Sequence, residues 1–220
     1  MKVVRVWDLP TRLFHWVLVA TVIGLVITGN VGGDAMVWHF RLGYTVLTLL
    51  LFRIGWGFVG GRWSRFSSFV RAPWSVIGYL RDKESDASPG HNPLGAYSVL
   101  ALLAMALAQA SAGLMSDDEI MAAGPLVSKV PSDWVTLASF LHTKVFKAVL
   151  LALVLLHVGA ILWYRFGKRV NLVTPMLTGD KTLPQPVPAS RDDAASRLLA
   201  LGILMVCALA VALLVRWAQA

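Results

Sequence analysis

Cysteine is almost absent from this sequence of 220 residues: there is one, Cys207, and it lies inside an apolar run. A single cysteine excludes an intrachain disulfide, and the chain has no C-x-x-C-H motif for covalent attachment of a cofactor. Clusters of iron and sulfur held by four cysteines are excluded for the same reason.

Charged residues are also scarce. They make up 15% of the chain, against roughly 25% in soluble domains, while 57% of the residues are apolar. A soluble fold could not cover so much apolar surface, whereas a bilayer is itself an apolar solvent. The net charge of +8 would suit nucleic acid, but the basic residues lie between apolar runs, as in membrane proteins. We therefore expect membrane lipid, and no nucleic acid, as a partner.

Five apolar runs approach the roughly 20 residues that a spanning helix needs. They predict an all-α integral membrane protein. Glycines at 29–33 are expected to end the first helix, and residues 62–93 and 167–197 are read as polar connections. The first run carries His15-Trp16 and no small-residue cleavage pattern, so we expect a retained helix, not a removed signal. The predicted spans are residues 13–28, 38–59, 94–115, 137–166 and 198–215.

The distribution of lysine and arginine predicts the orientation. With the N-terminus in the cytoplasm, fifteen of the 20 basic residues lie in inner segments and five in outer segments. This bias favours a cytoplasmic N-terminus. Five spans then place the C-terminus in the periplasm, and the expected location is the bacterial inner membrane.

Histidine is the residue type that points to chemistry. Four of the five histidines fall within predicted spans, where an ionisable side chain is costly and suggests function. A hydrogen bond between helices, worth roughly 1 kcal/mol, would explain one of them, but four need a shared explanation. The fifth lies in a Pro-Gly-His-Asn-Pro turn, and we expect it to be a loop or capping residue. The alternatives are that it contacts a haem propionate, lines a quinone pocket or serves as an axial ligand. The four in the spans are His15, His39, His142 and His157, and the fifth is His91.

The depths of the four histidines sort them into two pairs. His15 and His157 lie near the cytoplasmic ends of helices one and four, and His39 and His142 near the outer ends of helices two and four. Six-coordinate haem needs one imidazole on each face, from two helices. In an α-helix, His142 and His157 would be about 22 Å apart and roughly 60° apart around the axis, which leaves room for two stacked haems. Zinc is disfavoured because the spans offer almost no carboxylates.

Small and basic residues near the pairs are candidate haem contacts. Gly43 lies one turn after His39, where a missing side chain would let a flat ring approach; ordinary helix packing would explain it equally well. Basic residues would pair with propionates, although topology or snorkelling also explains each of them. These residues are Arg41, Lys144 and Lys147 on the outer side and Arg12, Arg53 and Arg165 on the inner side.

Four segments of the sequence carry a family resemblance: VWDLPTRLFHW, WHFRLGY, GHNPLGAYSVLALL and NLVTPMLTGDK. They resemble the prokaryotic di-haem cytochrome b group, which includes bacterial cytochrome b561 and the cytochrome b subunit of nickel–iron hydrogenases. The resemblance covers residues 6–181 and implies His15, His39, His142 and His157 as ligands, paired His15–His157 and His39–His142. It also implies a four-helix haem-binding bundle, so we expect a di-haem bundle at 1–181, a Pro-rich cytoplasmic linker at 182–197 and an added fifth transmembrane helix at 198–220.

Two function classes remain open at this point. Bis-histidine iron has no open position and suits electron transfer. The resemblance implies the two ends of the path, so we expect two haems b to carry electrons between the quinone pool and a periplasmic redox protein. The resemblance implies a hydrogenase, another dehydrogenase or a c-type cytochrome as that partner, and a homodimer is a further candidate assembly. Whether the chain is a carrier or an oxidoreductase subunit stays open. The alternative is a haem-free anchor or transporter subunit, against which the absence of mid-span carboxylates counts.

Overall fold

The computed structural model describes residues 2–81 and 88–220. Within these ranges five helices are long and apolar enough to cross a membrane. The prediction of an all-α, multi-pass membrane protein is confirmed. In chain order the spanning helices are Leu9–Val31, Ala35–Val59, Pro93–Leu114, Ser132–Gly167 and Ala194–Gln219.

Two of the spanning helices begin several residues before the apolar run that predicted them, and an aspartate precedes the start of each. The first starts at Leu9, four residues earlier than predicted, and the N–H of Thr11 donates to Asp8 Oδ1 at 2.8 Å. The fifth starts at Ala194, and the N–H of Ser196 donates to Asp193 Oδ1 at 2.8 Å. Such carboxylates accept from N–H groups that have no partner within the helix. Helix ends are therefore set by polar caps outside the apolar runs.

The first spanning helix does not end at Gly29 as predicted; it continues to Val31. Asn30 stays helical because its side-chain amide donates back to the carbonyl of Val26 at 2.6 Å. The helix stops at Gly32 and Gly33, whose φ angles of 69° and 52° are left-handed and suit glycine. Gly29 thus belongs to the helix, where it lies against the ring of His39.

The fourth spanning helix is not uniformly α-helical. It is π-helical over Leu141–Phe146 and again over Trp163–Gly167. Hydrogen bonds in a π-helix run over five residues, which widens the turn. The α-helical angle and rise used above for His142 and His157 do not apply across the first of these segments. Nothing in the apolar pattern marks either one.

The polar connections are more ordered than predicted. Short helices cover Phe66–Phe69, Trp74–Arg81 and Val173–Thr178. The chain also contains a two-stranded antiparallel sheet of β1 (Lys2–Arg5) and β2 (Asp180–Leu183), which the all-α reading missed. Strands of four residues are too short for a periodic signal, so the sequence could not have shown them.

The described chain divides into two compact units. Each spanning helix contributes residues to both, and no unit corresponds to a continuous segment. The first unit comprises Met1–Phe14, Arg53–Ala101 and Val154–Gly202, and the second comprises His15–Phe52, Leu102–Leu153 and Ile203–Ala220.

The first unit is organised around Asp8, whose side chain is fully buried. Its carboxylate accepts hydrogen bonds from Thr11 N–H at 2.8 Å, Trp56 Nε1 at 3.1 Å, Gly61 N–H at 3.2 Å and Ser64 Oγ at 2.6 Å. A Cβ at position 61 would collide with this carboxylate. A buried carboxylate is tolerated only when donors surround it. Asp8 therefore ties the start of the first spanning helix to the end of the second.

The second unit has an apolar core in which the first four spanning helices meet. Val46, Leu50 and Ala106 are buried at its centre. Partly buried side chains from the first, third and fourth helices pack against them: Leu18, Val22, Leu25, Leu103, Leu107 and Leu150. This core positions the parts of those helices that belong to the second unit.

Replacing Asp8 by alanine is expected to destabilise the protein strongly. The change leaves four donors around a buried site without their acceptor, and such losses cost about 3 kcal/mol or more. Thermal unfolding in detergent measures the effect. Asp34→Ala, at an exposed residue, is the matched control; equal midpoints for the two variants would contradict the role assigned to Asp8.

Candidate haem site

Two of the predicted ligands, His39 and His142, lie side by side in the second unit. Their ring centroids are 6.2 Å apart, and the ring planes make an angle of 89°. Both side chains are partly buried. The structure therefore brings the outer pair together.

The ring of His39 is held by the first spanning helix. Its Nδ1 lies 3.2 Å from the carbonyl oxygen of Leu25 and 3.2 Å from Thr28 Oγ1. A carbonyl oxygen can only accept, so Nδ1 carries the proton. Thr28 donates its own proton to the carbonyl of Gly24 at 2.8 Å, which leaves its oxygen as a second acceptor. In the neutral ring, Nε2 then keeps its lone pair for a ligand.

The ring of His142 is held in the same way by the third spanning helix. Its Nδ1 lies 2.9 Å from the carbonyl oxygen of Gln109, which again assigns the proton to Nδ1. The side-chain amide of Gln109 donates in return to the carbonyl of His142 at 3.1 Å. Metal-ligating histidines usually donate their second ring N–H to a carbonyl or carboxylate. Both imidazoles of the pair have this arrangement.

A glycine on a neighbouring helix lies against each ring. A Cβ at Gly29 would be 2.9 Å from His39 Cε1, and a Cβ at Gly113 would be 2.7 Å from His142 Cε1. Real Cβ atoms essentially never approach so closely, so any larger residue would displace the ring. The two glycines let the imidazoles lie against the backbone of the first and third helices.

A cavity of about 330 Å³ adjoins both rings. This volume lies within the range of roughly 300–1,000 Å³ typical of small-molecule sites. Its walls are mostly apolar and come from the first four spanning helices. Examples are Val22 and Leu25, Phe40 and Leu47, Ala106, and Leu150.

The residues present fit a b-type haem. Imidazole nitrogens bind first-row metals at about 2 Å, and two rings on opposite sides of one ion then have centroids roughly 6 Å apart. Within residues 2–81 and 88–220, no three histidine, cysteine, aspartate or glutamate side chains form a metal-binding group. A haem needs only two protein ligands because its porphyrin supplies the other four. Two fixed imidazoles beside an apolar cavity meet that requirement.

Of Gly43 and the basic residues predicted for the outer site, some line the cavity and others do not. Gly43 lines the cavity, and a Cβ there would meet no atom within 4 Å in the described part of the chain. Lys147 also lines the cavity. Arg41 lies over the ring of Trp38, 5.0 Å from its centroid. Neither Arg41 nor Lys144 lines the cavity, so their pairing with propionates stays a prediction.

The loop after the third spanning helix adds acidic groups to the cavity wall. Asp117 and Asp118 both line it. Asp118 Oδ1 accepts from the N–H groups of Ala122 at 2.8 Å, Ile120 at 3.0 Å and Met121 at 2.9 Å. These bonds keep the pKa of this carboxyl below its usual value, because they favour the charged form. Asp118 therefore closes its own turn as a carboxylate at neutral pH.

The inner histidines belong to different units. His15 lies in the second unit, where its ring centroid is 4.9 Å from that of Trp16, and His157 lies in the first unit. Their pairing stays a prediction. Among the inner cations, Arg12 donates to the carbonyl of Leu177 and Arg53 to that of Ser64 at 3.1 Å, and Arg165 is exposed.

His91 packs between aromatic rings of the first unit. Its ring centroid lies 4.8 Å from that of Trp7 and 4.7 Å from that of Phe69. The expected capping role falls instead to Asn92, whose Oδ1 accepts from the N–H of Gly95 at 2.7 Å at the start of the third spanning helix. His91 is thus a packed loop residue.

Comparison with known proteins decides the family. The model of the family described as prokaryotic cytochrome b561 matches residues 6–179, most of the chain. The chain belongs to the prokaryotic cytochrome b561 family. This membership confirms the resemblance read from the sequence and makes the chain a transmembrane cytochrome of the b type.

Curated relatives are hydrogenase cytochromes. The probable Ni/Fe-hydrogenase 1 B-type cytochrome subunit of Escherichia coli (strain K12) is 30% identical over 116 residues, covering 40% of this chain and 49% of the relative. The probable Ni/Fe-hydrogenase B-type cytochrome subunit of Azotobacter vinelandii is 32% identical over 119 residues, covering 42% and 50%. The chain thus spans about half the length of the curated relatives it matches. No solved structure matches it.

Sequence reasoning missed four residues of the outer site. Gly29 was assigned to a helix break, and Gly113 was not singled out. Gln109 and Thr28 were not singled out, although a glutamine within an apolar run and four residues before a glycine is an available signal. Gln109 and Thr28 each contact a histidine that belongs to a different helix from their own. Such partners become visible only when the helix register is known.

Gly113→Ala is expected to lower the haem content well below that of the wild type, because the added methyl must displace the His142 ring from its predicted ligating position. The haem-to-protein ratio of the purified variant measures this. Gly202→Ala is the matched control, since a Cβ there meets no atom within 4 Å among the described residues. Full haem content in both variants would contradict the packing argument.

Proposed function

We propose that this cytochrome carries electrons across the membrane through two haems b, between the quinone pool and a periplasmic redox protein. One haem would be ligated by His39 and His142 and the other by His15 and His157. The observation that carries the proposal is the geometry of the outer pair. Its two rings are 6.2 Å apart, and each donates its Nδ1–H to a carbonyl of another helix.

The protein's part in this mechanism is to hold the ligands still. Bound haem supplies an iron that changes between ferric and ferrous states. Leu25, Thr28 and Gln109 fix the tautomer and the rotation of the two imidazoles, so neither ring needs to move when the charge changes. The cavity wall is mostly apolar, which would limit the amount of water around the bound group. With one imidazole of the pair on each face of the group, its iron would have no open position, which would favour electron transfer over oxygen chemistry.

Buried cationic groups on the inner side support a second haem. In the described part of the chain, Arg12 Nε and Arg53 Nη1 are buried and have no hydrogen-bond partner, and Arg53 is only 3% exposed. A buried guanidinium nitrogen without an acceptor is costly. A propionate carboxylate is an acceptor of the required charge. We assign these two arginines to the propionates of the His15–His157 haem.

The relatives suggest the partner. Both are named as cytochrome subunits of Ni/Fe hydrogenases, so a hydrogenase is the first candidate for the periplasmic protein, before another dehydrogenase or a c-type cytochrome. The quinone would exchange electrons with the inner haem. Residues 198–220, beyond the matched family region, would contact that partner or a second copy of the chain.

The histidine pairs are tested by replacing one ligand at a time. His142→Leu is expected to lose one of two haems, and His39→Leu should lose the same one because each ring supplies half of a single site. The double variant should lose no more than either single variant. The haem-to-protein ratio and a redox titration measure the loss.

A histidine outside the pairs provides the control. His91→Phe should keep both haems, because His91 packs between two aromatic rings. Retention of both haems in His142→Leu would refute the outer pair. Absence of reduced b-haem bands from the wild-type spectrum would instead favour a haem-free anchor or transporter subunit.

The orientation of the chain is tested at its C-terminus. Five spans and the excess of basic residues in inner segments predict a cytoplasmic N-terminus. Alkaline phosphatase fused after Ala220 should therefore be active, since that enzyme needs the periplasm. An active β-galactosidase fusion at the same position, with an inactive phosphatase fusion, would reverse the topology.

A further inference from the structure

Gln109 makes two reciprocal contacts with His142 that nothing in the sequence motifs indicated. Its backbone carbonyl accepts from the ring at 2.9 Å, and its side-chain amide donates to the backbone carbonyl of His142 at 3.1 Å. Gln109 lies on the third spanning helix and His142 on the fourth. Both the ring and the backbone of this ligand are therefore held by one residue.

The backbone contact falls within an irregular part of the fourth helix. His142 belongs to the π-helical segment Leu141–Phe146. Single π-helical turns interrupt the regular α-helical hydrogen bonds and are frequent at functional sites. The amide of Gln109 gives the His142 carbonyl a hydrogen bond from outside its own helix. It thereby supports the backbone conformation that sets the direction of the ring.

We propose that Gln109 is a positioning residue that holds the His142 imidazole perpendicular to that of His39. The ring planes make an angle of 89°, and Gly113, on the same helix as Gln109, lies against Cε1 and Nδ1 of the His142 ring. His39 has a different restraint, because Thr28 Oγ1 and the Leu25 carbonyl both lie 3.2 Å from its Nδ1. This inference rests on the proposed outer haem.

The angle between the imidazoles has a spectroscopic signature. Perpendicular imidazole planes bring the iron d orbitals closer in energy than parallel planes do, which gives a highly anisotropic low-spin ferric EPR signal. Axial-ligand geometry and hydrogen bonding also set the reduction potential. A side chain that fixes the angle therefore controls both properties of one haem and leaves the other haem unchanged.

Side-chain substitution at Gln109 separates its two contacts. Gln109→Met keeps the length of the side chain and the backbone acceptor. It removes the side-chain amide, which means the donor to the His142 carbonyl together with Oε1, a buried atom with no hydrogen-bond partner in the described part of the chain. We expect the outer-haem EPR signal to move toward the rhombic type and its potential to shift, while the inner haem keeps both values. Gln109→Asn should give the same shift, because an amide shortened by one methylene cannot reach the His142 carbonyl. Met105→Leu, one turn earlier and outside the cavity wall, is the control and should change neither haem.

The outcomes separate this inference from the proposed function. Selective loss of the outer haem in Gln109→Met would support positioning, whereas equal loss of both haems would contradict it. Unchanged EPR signals in Gln109→Met or in Gln109→Asn would overturn the role of the amide, with the two haems still in place. A wild-type protein without b-haem bands would refute the proposed function itself.

Discussion

The outer site depends on two hydrogen bonds from imidazole Nδ1–H groups to backbone carbonyls of other helices. In a bilayer these bonds face no competition from water, and a ring without them would carry a costly unsatisfied donor. Leu25 and Gln109 supply the acceptors. Both carbonyls belong to spanning helices. The register of these helices against those that carry the histidines therefore decides where the two Nε2 lone pairs lie.

Close approach of the helices is the second requirement. Gly29 and Gly113 remove the side chains that would otherwise occupy the space of the two rings. The apolar core around Leu50 and Ala106 keeps the same helices in contact. In the first unit, buried Asp8 plays a comparable part by joining helix ends through four hydrogen bonds. Polar groups thus set the positions of helices whose apolar surfaces have little preference for one packing over another.

Composition and spacing were enough to predict the five spanning helices, since length and hydropathy decide insertion. They also singled out His39 and His142, because an ionisable residue in a span is rare. They could not show the strands β1 and β2, or the π-helical turn at His142, because neither changes the apolar pattern. Gln109 and Gly113 escaped for a related reason: their roles depend on contacts with another helix. The sequence contains such partners but does not indicate their register.

The most direct test of the account is the haem content of the intact, purified wild-type protein. Pyridine haemochrome analysis against quantitative amino-acid analysis should give two haems b per chain, and ferric EPR should show low-spin bis-imidazole iron with one highly anisotropic signal from the outer site. A content of one haem per chain would contradict the proposed inner site. High-spin iron, or no haem, would contradict the bis-histidine account as a whole.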